Sequence, residues 1–228
     1  MSNSLRVQRK MQSTLSQLMP EVLATRRRAL AQMITGLHLA EHVHLSKVAG
    51  RISGTVQLES KTRHLRRFLG NEDVDPERFY SPVFGRLIDL AAQGAKTEGT
   101  GPVRILVDTL ELSGERQVVM AGIAYRRRAL PLCWKTHGRE GVTNAEQQIA
   151  LLRALAGLFP EGAEVVVVGD GAFHSTDLME FIEDQSWHFC LRLHLDTYVR
   201  SSEEGSWRQL RDLVPEEGGS AVTCRRSS

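Results

Sequence analysis

Four consecutive valines, Val165 to Val168, constrain this chain more than any other stretch. They are preceded by Glu164 and followed by Gly169-Asp170-Gly171-Ala172-Phe173. A short, unbroken apolar run bounded by a charge and a glycine is the pattern of a fully buried strand. Asp170, between two glycines at its C-terminal end, is not a packing residue. The segment Val103-Arg104-Ile105-Leu106-Val107-Asp108-Thr109 repeats the design, an apolar strand carrying one Asp. Two strands that each deliver a carboxylate can bring both to one sheet edge, the usual place for a divalent-cation site in an α/β domain.

The strands around these two acids define the fold class. Strands are expected over 103–112, 116–125 and about 130–136, joined by Ser113-Gly114-Glu115 and by Arg126-Arg127-Arg128. Thr143-x-x-Glu146 reads as a capping box that opens a helix with Ile149, Leu152, Leu155 and Phe159. Strand 163–168 delivers Asp170. Ser175 or Thr176 caps a helix with Leu178, Phe181 and Ile182, and an alternating strand covers 187–195. The order β-β-β-α-β-α-β is that of a ribonuclease-H-like mixed α/β sheet. In that order strands one and four are central neighbours, which would make Asp108 and Asp170 neighbours too.

Before residue 94 the grammar is helical. Helices are expected over 5–19, 21–39, 44–52, 56–69 and 76–93, the second with a stripe of Leu23, Leu30, Ile34 and Leu37. The charge balance separates this region from the rest. The whole chain carries only +2, but residues 1–70 hold twelve Lys/Arg against three acids, which leaves −7 for residues 71–228. A net +9 on one helical module suits a polyanion. Residues 44–69 have the helix-turn-helix layout, a short helix, a break at Ser53-Gly54 and a second helix. The outer face of that second helix offers Lys61, Arg63, His64, Arg66 and Arg67 as DNA contacts. The plainer reading is a helical hairpin with a solvated charged face, and Arg26-Arg27-Arg28 alone reads that way. Gly94 to Gly101 reads as a linker, giving a helical basic domain (1–93), a linker (94–102), a partial catalytic core (103–195) and an irregular tail or the start of an insertion (196–228).

Three scattered cysteines exclude a disulfide framework or a Cys-x-x-Cys zinc site and suit a reducing cytosol. No run of about 18 apolar residues marks a membrane span. His137, His188 and His194 lack zinc-ligand spacing. His174, four residues after Asp170, is placed to touch substrate but reads more simply as a helix-start surface residue. Trp134 and Trp187 read as core aromatics.

Val107-Asp108-Thr109 and Val167-Val168-Gly169-Asp170-Gly171-Ala172-Phe173 resemble the first and second acid strands of bacterial insertion-sequence transposases of the Asp-Asp-Glu class. The group meant carries a β insertion in its ribonuclease-H-like core. Leu130-Pro131-Leu132-Cys133-Trp134-Lys135 is similar to its third strand. The resemblance covers roughly 103–195. It implies Asp108 and Asp170 as catalytic acids and ligands of Mg²⁺ or Mn²⁺, double-stranded transposon-end DNA as partner, a homodimer on that DNA, and a location in the bacterial cytoplasm at the nucleoid. The family's third acid lies in a Tyr-x-x-Arg-x-x-x-Glu-x-x-x-x-x-x-Lys signature that this sequence lacks; Glu203, Glu204, Glu216 and Glu217 have no matching Tyr, Arg and Lys. The resemblance thus implies a copy truncated inside the insertion and poorly active alone. Two other functions fit less or less fully. One is a DNA-binding fragment that inhibits transposition. The other is a haloacid-dehalogenase-like phosphatase, which wants Asp-x-Asp on the first strand where this chain has Asp108-Thr109-Leu110.

Overall fold

A computed structural model describes residues 3–97, 99, 101–112, 116–138, 143–200 and 205–213. The chain divides into two compact units between Val83 and Phe84.

The first unit is helical: α1 (Asn3–Leu18), α2 (Ala24–Ala40), α3 (Leu45–Arg51), α4 (Leu58–Leu69) and the start of α5 (Pro76–Thr97). Half of the expected α2 stripe packs on the core: Leu30 and Ile34 are half-buried against it, but Leu37 is exposed. Leu23 is 59% exposed, while Ala29, Ala31, Met33, Thr35 and Gly36 are buried. The reason is that α2 packs against α1, α3 and α4, so small residues all round admit close neighbours. At Gly36 a Cβ would stand 2.6 Å from Val48 Cγ1 and 2.7 Å from the Val48 carbonyl oxygen, which fixes the α2–α3 approach. Leu65, Phe68 and Phe79 close the same core, with Phe68 and Phe79 edge to face at 6.3 Å.

Two arginines of the Arg26-Arg27-Arg28 run have structural partners. Arg26 is ion-paired with Asp73, and Arg27 donates to the Met19 and Pro20 carbonyls at 2.9 and 2.8 Å, satisfying the end of α1. Pro20 lies in the turn between α1 and α2 rather than in the start of α2.

The second unit holds a five-stranded sheet in the order β3-β2-β1-β4-β5. The strands are β1 (Val103–Leu112), β2 (Arg116–Tyr125), β3 (Arg128–His137), β4 (Val165–Gly169) and β5 (His188–Leu191). β1, β2 and β3 run antiparallel in sequence, and β4 is parallel to both β1 and β5. With α6 (Ala145–Ala156) and α7 (Thr176–Asp184) this is the ribonuclease-H-like mixed sheet expected above. β5 stops at Leu191, four residues short of its expected end. The expected linker starts inside α5, which continues to Thr97.

The valine run is fully buried on one face only. Val165 and Val167 are at 0% exposure with Ile105, Val119, Ala121 and Leu132, packed with Leu151, Leu152 and Leu155 of α6 and Leu178 and Ile182 of α7. Val166 and Val168 are half-buried. The C-terminal part of α5 adds Ile88 to this core. Trp187 is buried edge to face with Phe159 at 5.3 Å, whereas Trp134, expected in the core, is 38% exposed. Cys133 explains the difference: its thiol reaches the Leu151 carbonyl of α6, so the next residue of β3 faces the other way.

The capping box of α6 is one residue later than expected. Asn144 accepts from the Gln147 N–H at 2.9 Å, and the Gln147 side chain accepts from the Asn144 N–H. Asn144→Ala is expected to cost about 1 kcal/mol in denaturant titration, while Thr143→Ala should leave the cap intact.

The β2–β3 hairpin has a two-residue loop, Arg126 and Arg127, both at positive φ (46° and 65°). A type I′ turn of this kind favours Asn-Gly. Replacing the pair by Asn-Gly is expected to stabilise the sheet unit by about 0.5–1 kcal/mol, read as a raised denaturation midpoint.

Beyond β5, residues expected to be irregular form a small antiparallel ladder, β6 (Tyr198–Val199) with β7 (Arg208–Gln209). Glu203, Glu204, Glu216 and Glu217 lie outside the described residues.

Candidate cation site and nucleic-acid face

Register brings the two expected acids together. β1 and β4 are paired in parallel from Val103↔Val165 to Val107↔Gly169. Asp108 and Asp170 each stand one residue beyond that last pair. Neighbouring strands lie about 4.8 Å apart, so the two acids start from adjacent backbone positions. Alternation puts them on the same face, the half-buried one of Leu106 and Val168, and both are exposed. Asp108 is in the middle of β1, where β4 ends and leaves space beside it.

Each carboxylate is steered by a backbone donor. Asp108 Oδ1 accepts from the Thr109 N–H at 2.8 Å, and Asp170 Oδ1 accepts from the Ala172 N–H at 3.0 Å. Among the described residues, the second oxygen of each has no hydrogen bond or ion pair. Two hard oxygen donors on adjacent strands, uncommitted and open to water, fit Mg²⁺ or Mn²⁺, which keep much of their water shell. No group of three His, Cys, Asp or Glu suited to a metal exists among the described residues.

The glycines flanking Asp170 have packing reasons. A Cβ at Gly169 would meet Val107 Cγ2 at 2.8 Å, Leu191 Cδ2 at 3.1 Å and Phe173 Cβ at 3.1 Å. A Cβ at Gly171 would meet His194 Nε2 at 2.8 Å. The turn after Asp170 is also held from α6. Gln148, 2% exposed, donates from its amide to the Ala172 carbonyl at 3.0 Å and to both the carbonyl and hydroxyl oxygens of Thr143. Phe173, 1% exposed, anchors the turn in the core.

Sequence reasoning weighed His174 only for contact with substrate, and missed Gln148 and His194 as parts of this site. Gln148 carries a faint signal, a polar residue between Ile149 and the capping box on a core-facing turn of α6. His194 carries none, since only the β4–β5 pairing brings residue 194 to residue 171. His188 lies beside Val166, further down the sheet. A cleft of about 310 Å³ lined by Ala92, Val103, Ala163 and Glu164 sits at the other end of β1 and β4 and holds no comparable chemistry.

In the helical unit, Arg63, His64, Arg66 and Arg67 are exposed on α4. Lys61 is placed differently. Its ammonium donates to the Ile52 carbonyl at 2.7 Å and the Gly54 carbonyl at 2.9 Å, which ties the α3–α4 connection to α4. That connection is six residues, 52–57, because α4 starts at Leu58 rather than near 56. A helix-turn-helix turn is usually three or four residues. A shallow depression between α3 and α4 is lined by Ser46, Leu58, Glu59, Thr62, Arg63 and Arg66.

No helix among the described residues is long and apolar enough to cross a membrane. No protein-family model matches the chain, and no curated protein matches it. Among solved structures it is similar to the catalytic domain of Mos1 mariner transposase, at 14% identity and a TM-score of 0.30, over 47% of this chain and 57% of that one. A second match is to that catalytic domain with Raltegravir and Mn, at 15% identity and a TM-score of 0.30, over 46% of this chain and 57% of that one. A third is to the Mos1 strand transfer complex, at 11% identity and a TM-score of 0.27, over 70% of this chain and 56% of that one. The chain thus spans a little over half the length of the solved chains it matches.

Proposed function

We propose that this chain is part of an Asp-Asp-Glu transposase. In this reading the sheet unit forms its ribonuclease-H-like core, and the helical unit, residues 1–83, binds the DNA of transposon ends. The observation that carries the proposal is the parallel β1–β4 register, whose last pair, Val107↔Gly169, directly precedes Asp108 and Asp170. Their uncommitted oxygens would hold Mg²⁺ or Mn²⁺. Such ions supply Lewis-acid activation of a water or 3′-hydroxyl and stabilise a leaving oxygen in phosphodiester cleavage and strand transfer. The chain's own part is to keep two carboxylates on adjacent strands, each steered by a backbone N–H, and to leave that face open to a nucleic-acid strand. A supercoiled plasmid incubated with the chain and Mn²⁺ tests this. Nicking above background that disappears in Asp108→Ala supports it; nicking unchanged in Asp108→Ala and Asp170→Ala counts against it.

A second reading is a DNA-binding module that occupies element ends without cutting. It is favoured by the lack of a third metal-competent group beside the two acids among the described residues. Either way α4 supplies the phosphate contacts, with Arg63 and Arg67 suited to bidentate grip. In gel shifts with a random-sequence duplex, affinity is expected to fall steeply with salt, and Arg63→Ala and Arg67→Ala should each flatten the log–log slope by about 0.9. Salt-insensitive binding would remove α4 from the interface. Lys61→Ala is expected to act mainly on stability, because it frees the carbonyls of Ile52 and Gly54.

A further inference from the structure

Two imidazoles close on the residue that follows Asp170. His174 Nδ1 lies 2.5 Å from the Gly171 carbonyl oxygen. A carbonyl only accepts, so Nδ1 carries the proton in this contact. His194 reaches the same residue, its ring over the space where a Gly171 Cβ would stand. The rings meet edge to face with centroids 5.3 Å apart. Gly171 itself is buried, although both histidines are exposed. The next residue, Ala172, gives its N–H to Asp170 Oδ1. The geometry of the Asp170 carboxylate is therefore linked, through the single Gly171–Ala172 peptide unit, to a clamp of two side chains.

We infer that His174 and His194 are positioning residues that hold the Asp170 turn in its ligand-ready conformation before a cation arrives. The inference rests on the reading of Asp170 as a cation ligand and names what fixes it. A short acidic turn at a strand end has several accessible conformers. Buried Phe173 and Gln148 anchor its far side at Ala172 and beyond. Gly171, the residue with the least intrinsic conformational restriction, is the remaining joint, and it is the one the histidines grip. Groups of this kind behind metal ligands commonly contribute tenfold or more to metal affinity. Glycine at 171 follows from the same arrangement, since any side chain there would displace His194.

Amide hydrogen exchange of Gly171 and Ala172, together with Mn²⁺ titration, tests the clamp on the full chain. His174→Ala and His194→Ala are each expected to speed exchange at the Ala172 amide by about tenfold and to weaken Mn²⁺ binding by about the same factor. His174→Asn should restore both, because its side-chain N–H can reach the Gly171 carbonyl. Unchanged exchange and affinity in both alanine variants, with Mn²⁺ binding still abolished by Asp108→Asn, would overturn the clamp and leave the cation site standing. Faster exchange in the alanine variants of a chain that binds no Mn²⁺ would support the clamp and sink the cation reading instead.

Discussion

Gly36→Ala is expected to destabilise the helical unit, although alanine is the better helix former. The propensity gain is about 1 kcal/mol. Against it stands a Cβ placed 2.7 Å from the Val48 carbonyl oxygen and 2.6 Å from Val48 Cγ1. The first contact is backbone and cannot rotate away, so α2 and α3 must separate, and overpacking of this kind costs about 1–3 kcal/mol or more. Separation also loosens Val48 and Ala49, both at 0% exposure. The net loss should appear as a lower melting temperature, and Gly36→Val should be worse. Gly85 in α5 is the matched control: a Cβ there meets nothing within 4 Å. Gly85→Ala is expected to stabilise by up to about 1 kcal/mol. Equal effects of the two substitutions would show that α2 and α3 do not approach as closely as described.

The largest functional effect is expected at the two acids. Asp108→Asn and Asp170→Asn each keep shape and hydrogen-bonding capacity but remove one negative ligand. In the proposed reading, whatever metal-assisted nicking the chain supports should fall to background in each variant. Stability should move little, because both side chains are exposed and each makes a single hydrogen bond to backbone. Asp177→Asn, at an exposed acid in the first turn of α7, should leave cleavage intact and cost a few tenths of a kcal/mol through the helix dipole. Because the two effects separate, loss of cleavage accompanied by unfolding would point to a structural role for the acids instead.

Much of the sheet unit was legible because its signals are local. Strands 103–112 and 116–125 match β1 and β2 to the residue. A run of four valines admits few structures, and the alternation of strands with capped helices sets the order. The positions of the two acids on adjacent strands were legible for the same reason, since each ends or interrupts a largely apolar run. What failed was whatever depends on three-dimensional neighbours. The α2 stripe was read from Leu23, Leu30, Ile34 and Leu37. Leu30 and Ile34 do pack on the core, but a helix with neighbours on several sides buries its small residues most fully, such as Ala31 and Gly36. Lys61 reads as a surface cation, yet its reach of four methylenes lets it satisfy two carbonyls in the preceding connection. Asn144 displaced Thr143 as the cap, a one-residue difference that periodicity does not resolve. The imidazole clamp spans twenty residues and is invisible until β5 is laid beside β4.

Divalent-cation binding to the full chain tests the central claim most directly, since it needs neither a DNA sequence nor turnover. Mn²⁺ titration followed by electron paramagnetic resonance should show a saturable site in the wild-type chain that Asp108→Asn and Asp170→Asn each weaken at least tenfold, while Asp177→Asn leaves it unchanged. Binding that is absent from the wild-type chain, or that survives both substitutions, would contradict the assignment of Asp108 and Asp170 as a cation-binding pair.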